Sequence, residues 1–284
     1  MDPLNADEVR RAVQAALSED IGTGDVTTQA LISEKAVAKA VIVGREPFIV
    51  AGLALAEAVF RELCAEIEIS RVSEDGQSLK PGMPLLKVQG PARAILTGER
   101  VALNFLQRLS GVATLTGQFV EAIRGTRSQI VDTRKTTPGW RRLEKYAVVC
   151  GGGGNHRFGL FDMVLIKDNH LAVLAAERPD AISVALRRAR TAYPKMKIEI
   201  EADTLDQVEQ AIDAGADLVL LDNMNPVQLR LAVQKCKDRA KTEASGGVNL
   251  ATVRTIAEAG VDFISVGALT HSARAVDIGL DFEP

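Results

Sequence analysis

Aromatic residues are scarce, at 4% of 284. That argues against a surface that stacks bases. Positive charge is not in excess either: 34 Lys and Arg against 37 Asp and Glu leave a net charge of −3, which argues against a binder of nucleic-acid backbones. Cysteines number three, and Cys64, Cys150 and Cys236 form no CxxC and cannot all pair, the usage of a reduced, cytoplasmic protein. The first residues, MDPLNADEVRRAVQAAL, contain no apolar signal-peptide core, and no run of about 18 apolar residues occurs anywhere. The chain is therefore expected to be neither secreted nor membrane-spanning. Low complexity is confined to four glycines at 151–154. What is present is a 46% hydrophobic fraction, ample for a core, in a length that suits one large domain and one small one.

The first hundred residues mix strand and helix patterns. Val9, Val13, Ala16 and Leu17 share a helical face over 6–18, and 19–28 reads as a turn-rich loop. Strands are expected at 38–43, 48–50, 67–72 and 85–88, and a helix at 52–63, giving a small α+β layer over residues 1–108. Residues 99–124 carry an apolar helical stripe, weakened at Gly111 and Gly117 enough to predict two helices. From residue 129 the rhythm becomes strand, helix, strand. Strands are expected at 129, 163, 197, 218, 242 and 262, with helix starts at Thr204, at Asn225-Pro226 and at Asn249. A repeat of about 20 to 25 residues is that of βα units. Six strands are too few for a closed eight-stranded barrel. The expected fold is α/β: an incomplete parallel α/β barrel over 109–271, with the tail 272–284 packing on the N-terminal domain. A doubly wound open sheet is the alternative.

The segment Val131–His170 runs against the acidic background, with seven Lys or Arg, two of the three histidines and four acids. Cations gathered at the ends of buried strands cost desolvation unless an anion meets them. In parallel α/β barrels the working residues sit just past the C-terminal strand ends. Those positions hold Arg134, Lys167, Glu201, Asp222, Ser245-Gly246-Gly247 and Gly267. Arg134, Lys135, His156, Arg157 and Lys167 can share a pocket for carboxylates and phosphates. For His156 the plain alternative is a satisfied structural histidine, while Arg141, Arg142 and Lys145 read as a solvated helix face. Glu201 and Asp222, on adjacent strands, suit Mg²⁺, or else they are ion-pair partners for Lys167 and Arg134. Ser245-Gly246-Gly247, read as leading into a helix N-terminus, and Gly267, just before His271, suit a phosphate. The ligand so described has a phosphate at one end, metal-bound oxygens in the middle and a carboxylate-rich partner beside it.

These residues resemble a known family. EDIGTGDVTT at 19–28, GERVALNFLQRLSGVAT at 98–114, DTRKTTPGWRRLEKYAVVCGGGGNHRFGLFDMVLIKDNH at 132–170, EIEADTLDQ at 199–207, LDNM at 221–224, EASGGV at 243–248 and ISVGALTHSARAVDIGLDF at 264–282 are similar to the quinolinate phosphoribosyltransferases, over nearly the full length and in order. The resemblance implies transfer of phosphoribose from phosphoribosyl pyrophosphate to quinolinate, with decarboxylation and Mg²⁺. It implies an N-terminal α+β open-sandwich domain beside a barrel of fewer than eight strands, and a homodimer, sometimes assembled further. By the same resemblance Thr133, Arg134, Lys135, His156, Arg157 and Lys167 surround quinolinate, and Arg100 reaches the pocket from the partner subunit. Glu201 and Asp222 engage ribose and metal; Ser245, Gly246, Gly247, Gly267 and His271 serve the phosphoribosyl pyrophosphate. Lys135, Lys167, Glu201 and Asp222 are the expected catalytic set. Competing expectations are a phosphoribosyltransferase for nicotinate or another carboxylated ring, an aldolase using Lys167 as a Schiff base, and a metabolite sensor without turnover.

Overall fold

A computed structural model describes residues 4–283. The chain divides into two compact units: Met1–Gly117 with Thr137–Gly152 and Ser272–Pro284, and Gln118–Thr136 with Gly153–His271. Among the described residues no helix is long and apolar enough to cross a membrane.

The first unit opens with α1 (Ala6–Ile21), capped by Asn5 in a capping box with Glu8 and burying Val9, Val13 and Leu17. Asp25 then caps α2 (Val26–Leu31) by accepting the Thr28 N–H. Residues 19–28, expected as loop, are thus a helix end and a helix start. Next come β1 (Val37–Gly44), β2 (Phe48–Ile49), α3 (Leu53–Leu63), β3 (Glu68–Arg71), β4 (Ser78–Leu79) and β5 (Pro84–Pro91). The following helix, α4 (Ala92–Ala122), is one element of 31 residues. The break expected at Gly111 and Gly117 does not occur. A Cβ on Gly111 would stand 1.9 Å from the Arg274 carbonyl oxygen, and one on Gly117 would stand 2.4 Å from Ile49 Cδ1. These glycines admit close neighbours, a tertiary reason that outweighs their cost of about 1 kcal/mol each in helix propensity.

The second unit is built on a parallel sheet. In chain order the remaining elements are β6 (Gln129–Val131), α5 (Arg141–Cys150), β7 (Val164–Ile166), α6 (Asp168–Val173), α7 (Ala181–Ala192), β8 (Ile198–Ala202), α8 (Leu205–Asp213), β9 (Leu218–Asp222), α9 (Pro226–Cys236), β10 (Lys241–Ser245), α10 (Val253–Glu258), β11 (Phe263–Ser265), α11 (Ala268–His271) and β12 (Ile278–Glu283). The sheet order is β6-β11-β10-β9-β8-β7. Every strand lies beside its successor except β6 and β7, which form the two edges. That is barrel winding with one gap, and it rules out the doubly wound alternative, whose order reverses within the sheet. A single parallel bridge, Val131 to Gly154, extends the pairing beyond β6. Helix starts follow the chemistry read from the sequence: Thr204 and Asn225 each form a capping box, and Pro226 occupies the first turn.

Two stretches distant in sequence join the first unit. β12 pairs antiparallel with β1, so its sheet runs β12-β1-β5-β3. Residues 137–152, assigned to the barrel by the strand-helix rhythm, belong here as well. Trp140 stacks on Phe105 with ring centroids 5.3 Å apart, and α5 buries Leu143, Ala147 and Val148. The charges of this helix do not form a solvated face. Lys145 and Glu144 are fully buried, and Arg142 Nε donates to Glu8 at 2.9 Å. Glu144 accepts from Arg108 at 3.0 Å and from the Thr137 amide and hydroxyl at 3.0 and 2.8 Å, so partners on other elements offset the burial.

Candidate active site

Strand alternation decides which side chains reach the cavity. In β8, Ile198-Glu199-Ile200-Glu201 places Glu199 and Glu201 on one face. The same period pairs Leu165 with Lys167, Leu220 with Asp222, Glu243 with Ser245, and Ser265 with Gly267. All of these except Glu199 line a single cavity of about 840 Å³, at the C-terminal ends of the barrel strands.

One wall is cationic. Thr133, Arg134, Lys135, His156, Arg157 and Lys167, the residues read from the sequence, all line the cavity. Thr133 Oγ1 accepts the Lys135 N–H at 3.0 Å. Arg157 Nη1 donates to the Met163 carbonyl at 3.2 Å. Burial, and then the neighbouring Arg134 charge, push the Arg157 guanidinium below its usual pKa. All three histidines of the chain, His156, His170 and His271, line this cavity.

The opposing set is acidic. Lys167 Nζ lies 2.9 Å from Glu201 Oε2, so one of the ion pairs considered for Glu201 is present. Burial, and then the charge of Asp203, raise the pKa of Asp222, whose Oδ2 accepts from Asn223 at 2.6 Å. Glu201, Asp203 and Asp222 bring carboxylate oxygens within 4.8 Å of one another. An all-oxygen donor set of this kind fits a hard divalent cation such as Mg²⁺.

His156 is the most tightly held member. Its backbone N–H donates to the buried Asp132 at 2.9 Å, and Asn155 Nδ2 donates to the same carboxylate at 2.7 Å. The ring Nε2 lies 2.9 Å from Glu199 and 3.4 Å from Glu243, and Nδ1 accepts the Arg157 N–H at 2.8 Å. Burial disfavours a charged ring, and the hydrogen bonds to Glu199 and Glu243 act in the opposite direction. An imidazolium, however, has no lone pair with which to accept the Arg157 N–H. The hydrogen bonds therefore describe the Nε2–H tautomer. Burial, and the charge of Glu243, raise the pKa of Glu199, against the lowering effect of its hydrogen bond to His156.

The glycine loop differs in one respect from expectation. Gly246 has φ +93° and Gly247 φ +60°, and a Cβ on Gly246 would stand 2.1 Å from Asn223 Oδ1, so only glycine fits there. The next helix, α10, begins at Val253 instead of at Asn249 and has six residues. Asn249 Oδ1 accepts the Ala251 and Thr252 N–H groups at 3.0 and 3.2 Å, which closes a turn in place of a helix start. The glycine loop therefore presents loop amides and not a helix end. At Gly267 a Cβ would press on Lys135 Cδ and His271 Nε2, each 3.1 Å away. Arg100 is exposed on α4 and is not among the lining residues.

Sequence reasoning missed Asp132, Asp203, Glu199, Glu243 and His170, whose Nδ1 accepts the Lys167 N–H at 2.8 Å. For Glu199 and Glu243 the signal was present: each lies two residues before a site residue on the same strand face.

Comparisons with known proteins agree over nearly the full length of the chain. Residues 25–110 match the model of the quinolinate phosphoribosyl transferase N-terminal domain, and residues 112–281 match that of the C-terminal domain. A Mycobacterium leprae protein named nicotinate-nucleotide pyrophosphorylase (carboxylating) is 45% identical over 282 residues, 97% of each chain. A Bacillus subtilis protein named probable nicotinate-nucleotide pyrophosphorylase (carboxylating) is 42% identical, with 98% of this chain and 94% of that one covered. The solved structure of nicotinate-nucleotide pyrophosphorylase from Francisella tularensis superposes with a TM-score of 0.93 at 39% identity, covering 99% of this chain and 98% of that one.

Proposed function

The chain belongs to the quinolinate phosphoribosyltransferase family, and on that premise we infer its reaction. It transfers the phosphoribosyl group of phosphoribosyl pyrophosphate to quinolinate with loss of CO2, giving nicotinate mononucleotide and pyrophosphate, a step of NAD biosynthesis. The observation that carries this reading is the cavity itself, with a cationic wall, an acidic set and a glycine loop meeting in one space.

Arg134, Arg157 and Lys167 meet the two carboxylates of quinolinate, with Lys135 and Thr133 beside them. A guanidinium offers a two-pronged donor for a carboxylate, and Lys supplies a point charge. Glu201 and Asp222 face the ribose, where carboxylates stabilise the positive charge that develops as pyrophosphate leaves C1. They would also hold Mg²⁺, which when bound neutralises charge on the pyrophosphate. Ser245, Gly246, Gly247, Gly267 and His271 take the 5-phosphate end. Once ribosylated, the pyridine nitrogen is cationic and stabilises the carbanion left by the adjacent carboxylate. Decarboxylation then needs positioning and no further cofactor.

The working assembly in this reading is a homodimer, open to further association, in which Arg100 of the partner subunit completes each site. The exposure of Arg100 and the family motif around it support this. The three cysteines are free, in keeping with a cytoplasmic enzyme. A Schiff-base lysine needs a free amine to attack a carbonyl, whereas Lys167 Nζ is paired with Glu201 at 2.9 Å.

Discrimination between rings tests the dicarboxylate assignment. With phosphoribosyl pyrophosphate and Mg²⁺, quinolinate should turn over and nicotinate, lacking the second carboxylate, should be a poor substrate. Equal turnover of the two would sink the assignment.

A further inference from the structure

We propose that His156 serves quinolinate binding indirectly, as a positioning residue that fixes Arg157, and not as a ligand of the substrate carboxylates. The proposal rests on the quinolinate site described above and changes the role of one member of its wall.

A ring nitrogen that contacts a carboxylate must donate a hydrogen. In His156 neither nitrogen has one to spare. Nε2–H is directed at Glu199, 2.9 Å away, with Glu243 at 3.4 Å, and Nδ1 accepts the Arg157 N–H at 2.8 Å. Turning the ring toward a ligand would strand both acids. Glu199 is fully buried, its Oε1 has no hydrogen-bond partner, and Glu243 is 2% exposed. An uncompensated buried charge is far costlier than the gain from one exposed contact. Glu199 and Glu243 therefore hold the ring in place.

Arg157 needs such a support. Its guanidinium shares the cavity with that of Arg134, and like charges push the two apart. A loop arginine without a brace would relax toward solvent. Here Asp132 fixes the His156 amide, the imidazole fixes the Arg157 amide, and the Met163 carbonyl fixes Nη1. The fork is pre-organised for a carboxylate, and binding does not have to order it. The buried acids Glu199 and Glu243 thus have a purpose: they anchor the imidazole that anchors the arginine.

Two substitutions separate the ring nitrogens. The amide of Asn reaches the position of Nδ1, and that of Gln reaches the position of Nε2. If the brace acts through Nδ1, His156→Asn keeps the KM for quinolinate within about threefold, while His156→Gln raises it about tenfold or more, with the KM for phosphoribosyl pyrophosphate unchanged in both. Gln equal to or better than Asn overturns the proposal, as does an equal rise in both KM values. Because either variant can lose stability through Glu199, the wild-type protein supplies an independent test. With only three histidines, a nitrogen-15 histidine NMR spectrum resolves each ring, and His156 is the signal lost in a variant. The expected result is the Nε2–H tautomer of His156 at neutral pH, unchanged at saturating quinolinate. A doubly protonated ring, or an Nε2 resonance that shifts on quinolinate binding, overturns the proposal. Calorimetry on the same sample reports whether quinolinate binds. Failure to bind contradicts the proposed reaction, and the brace is then decided by the ligand-free tautomer alone.

Discussion

Arg157 and Lys167 each reach the cavity from a different loop, and each holds charge that a dicarboxylate can satisfy. Replacing either by Ala should lower quinolinate turnover by about a hundredfold or more, because a charge-assisted contact is lost at the substrate. Melting temperature should stay within about 3 °C of wild type, since neither is a core residue. A variant that melts far lower, or one that retains turnover, would contradict the assignment. At this scale Lys167 was legible because it follows an apolar strand end, and Arg157 because it follows the glycine run at 151–154 and His156. The buried acids were not. A charge within a strand is placed by the face it occupies, and Glu199 alternates with Ile198 and Ile200 in step with Glu201. Lys145 was misread for the converse reason: a helical charge looks solvated until its tertiary surroundings are known, and here it is fully buried.

Among the elements, most strands and the helix caps at Thr204 and Asn225 could be read from alternation, Asn-Pro and Thr-x-x-Gln patterns, because these are local. The continuity of α4 could not, because what its glycines face lies elsewhere in the chain. Gly111→Ala would bring a methyl group to 1.9 Å from the Arg274 carbonyl. The expected cost is about 1 to 3 kcal/mol, read as a lower denaturant midpoint; an unchanged midpoint would show that the tail moves aside without loss. The tail segment leading into β12 also carries a pH dependence. Glu46 accepts two hydrogen bonds from Arg274, at 2.7 and 2.5 Å, and one from the Asp277 amide at 2.9 Å. The Arg274 hydrogen bonds first, and then that of Asp277, lower its pKa from 4.5 to about 2. A depressed carboxyl pKa gives stability that is complete above the unfolded value and is lost as pH falls through the folded one. Glu46→Gln should therefore flatten the fall in melting temperature between pH 4.5 and about 2. Parallel acid limbs for variant and wild type would remove Glu46 from the account.

For the molecule as a whole, six strands at a βα spacing specified an incomplete parallel barrel, and the sheet order has that winding. Membership of residues 137–152 in the first unit was not legible, since that assignment depends on packing such as Trp140 against Phe105. The proposed sharing of sites between subunits has its own test. Arg100→Ala and Lys167→Ala should each be nearly inactive, yet mixing them under subunit exchange should restore up to about one quarter of wild-type activity. Exchange seen by mass spectrometry without recovery would place Arg100 outside the partner's site. The central claim is that one cavity both transfers phosphoribose to quinolinate and removes its C2 carboxylate. Quinolinate carrying carbon-14 in that carboxylate tests it most directly, incubated with the protein, Mg²⁺ and phosphoribosyl pyrophosphate, and with each omitted in turn. The account predicts labelled CO2 and unlabelled nicotinate mononucleotide in equal amounts, only when both substrates are present. Label retained in the nucleotide, or CO2 released without phosphoribosyl pyrophosphate, would contradict it.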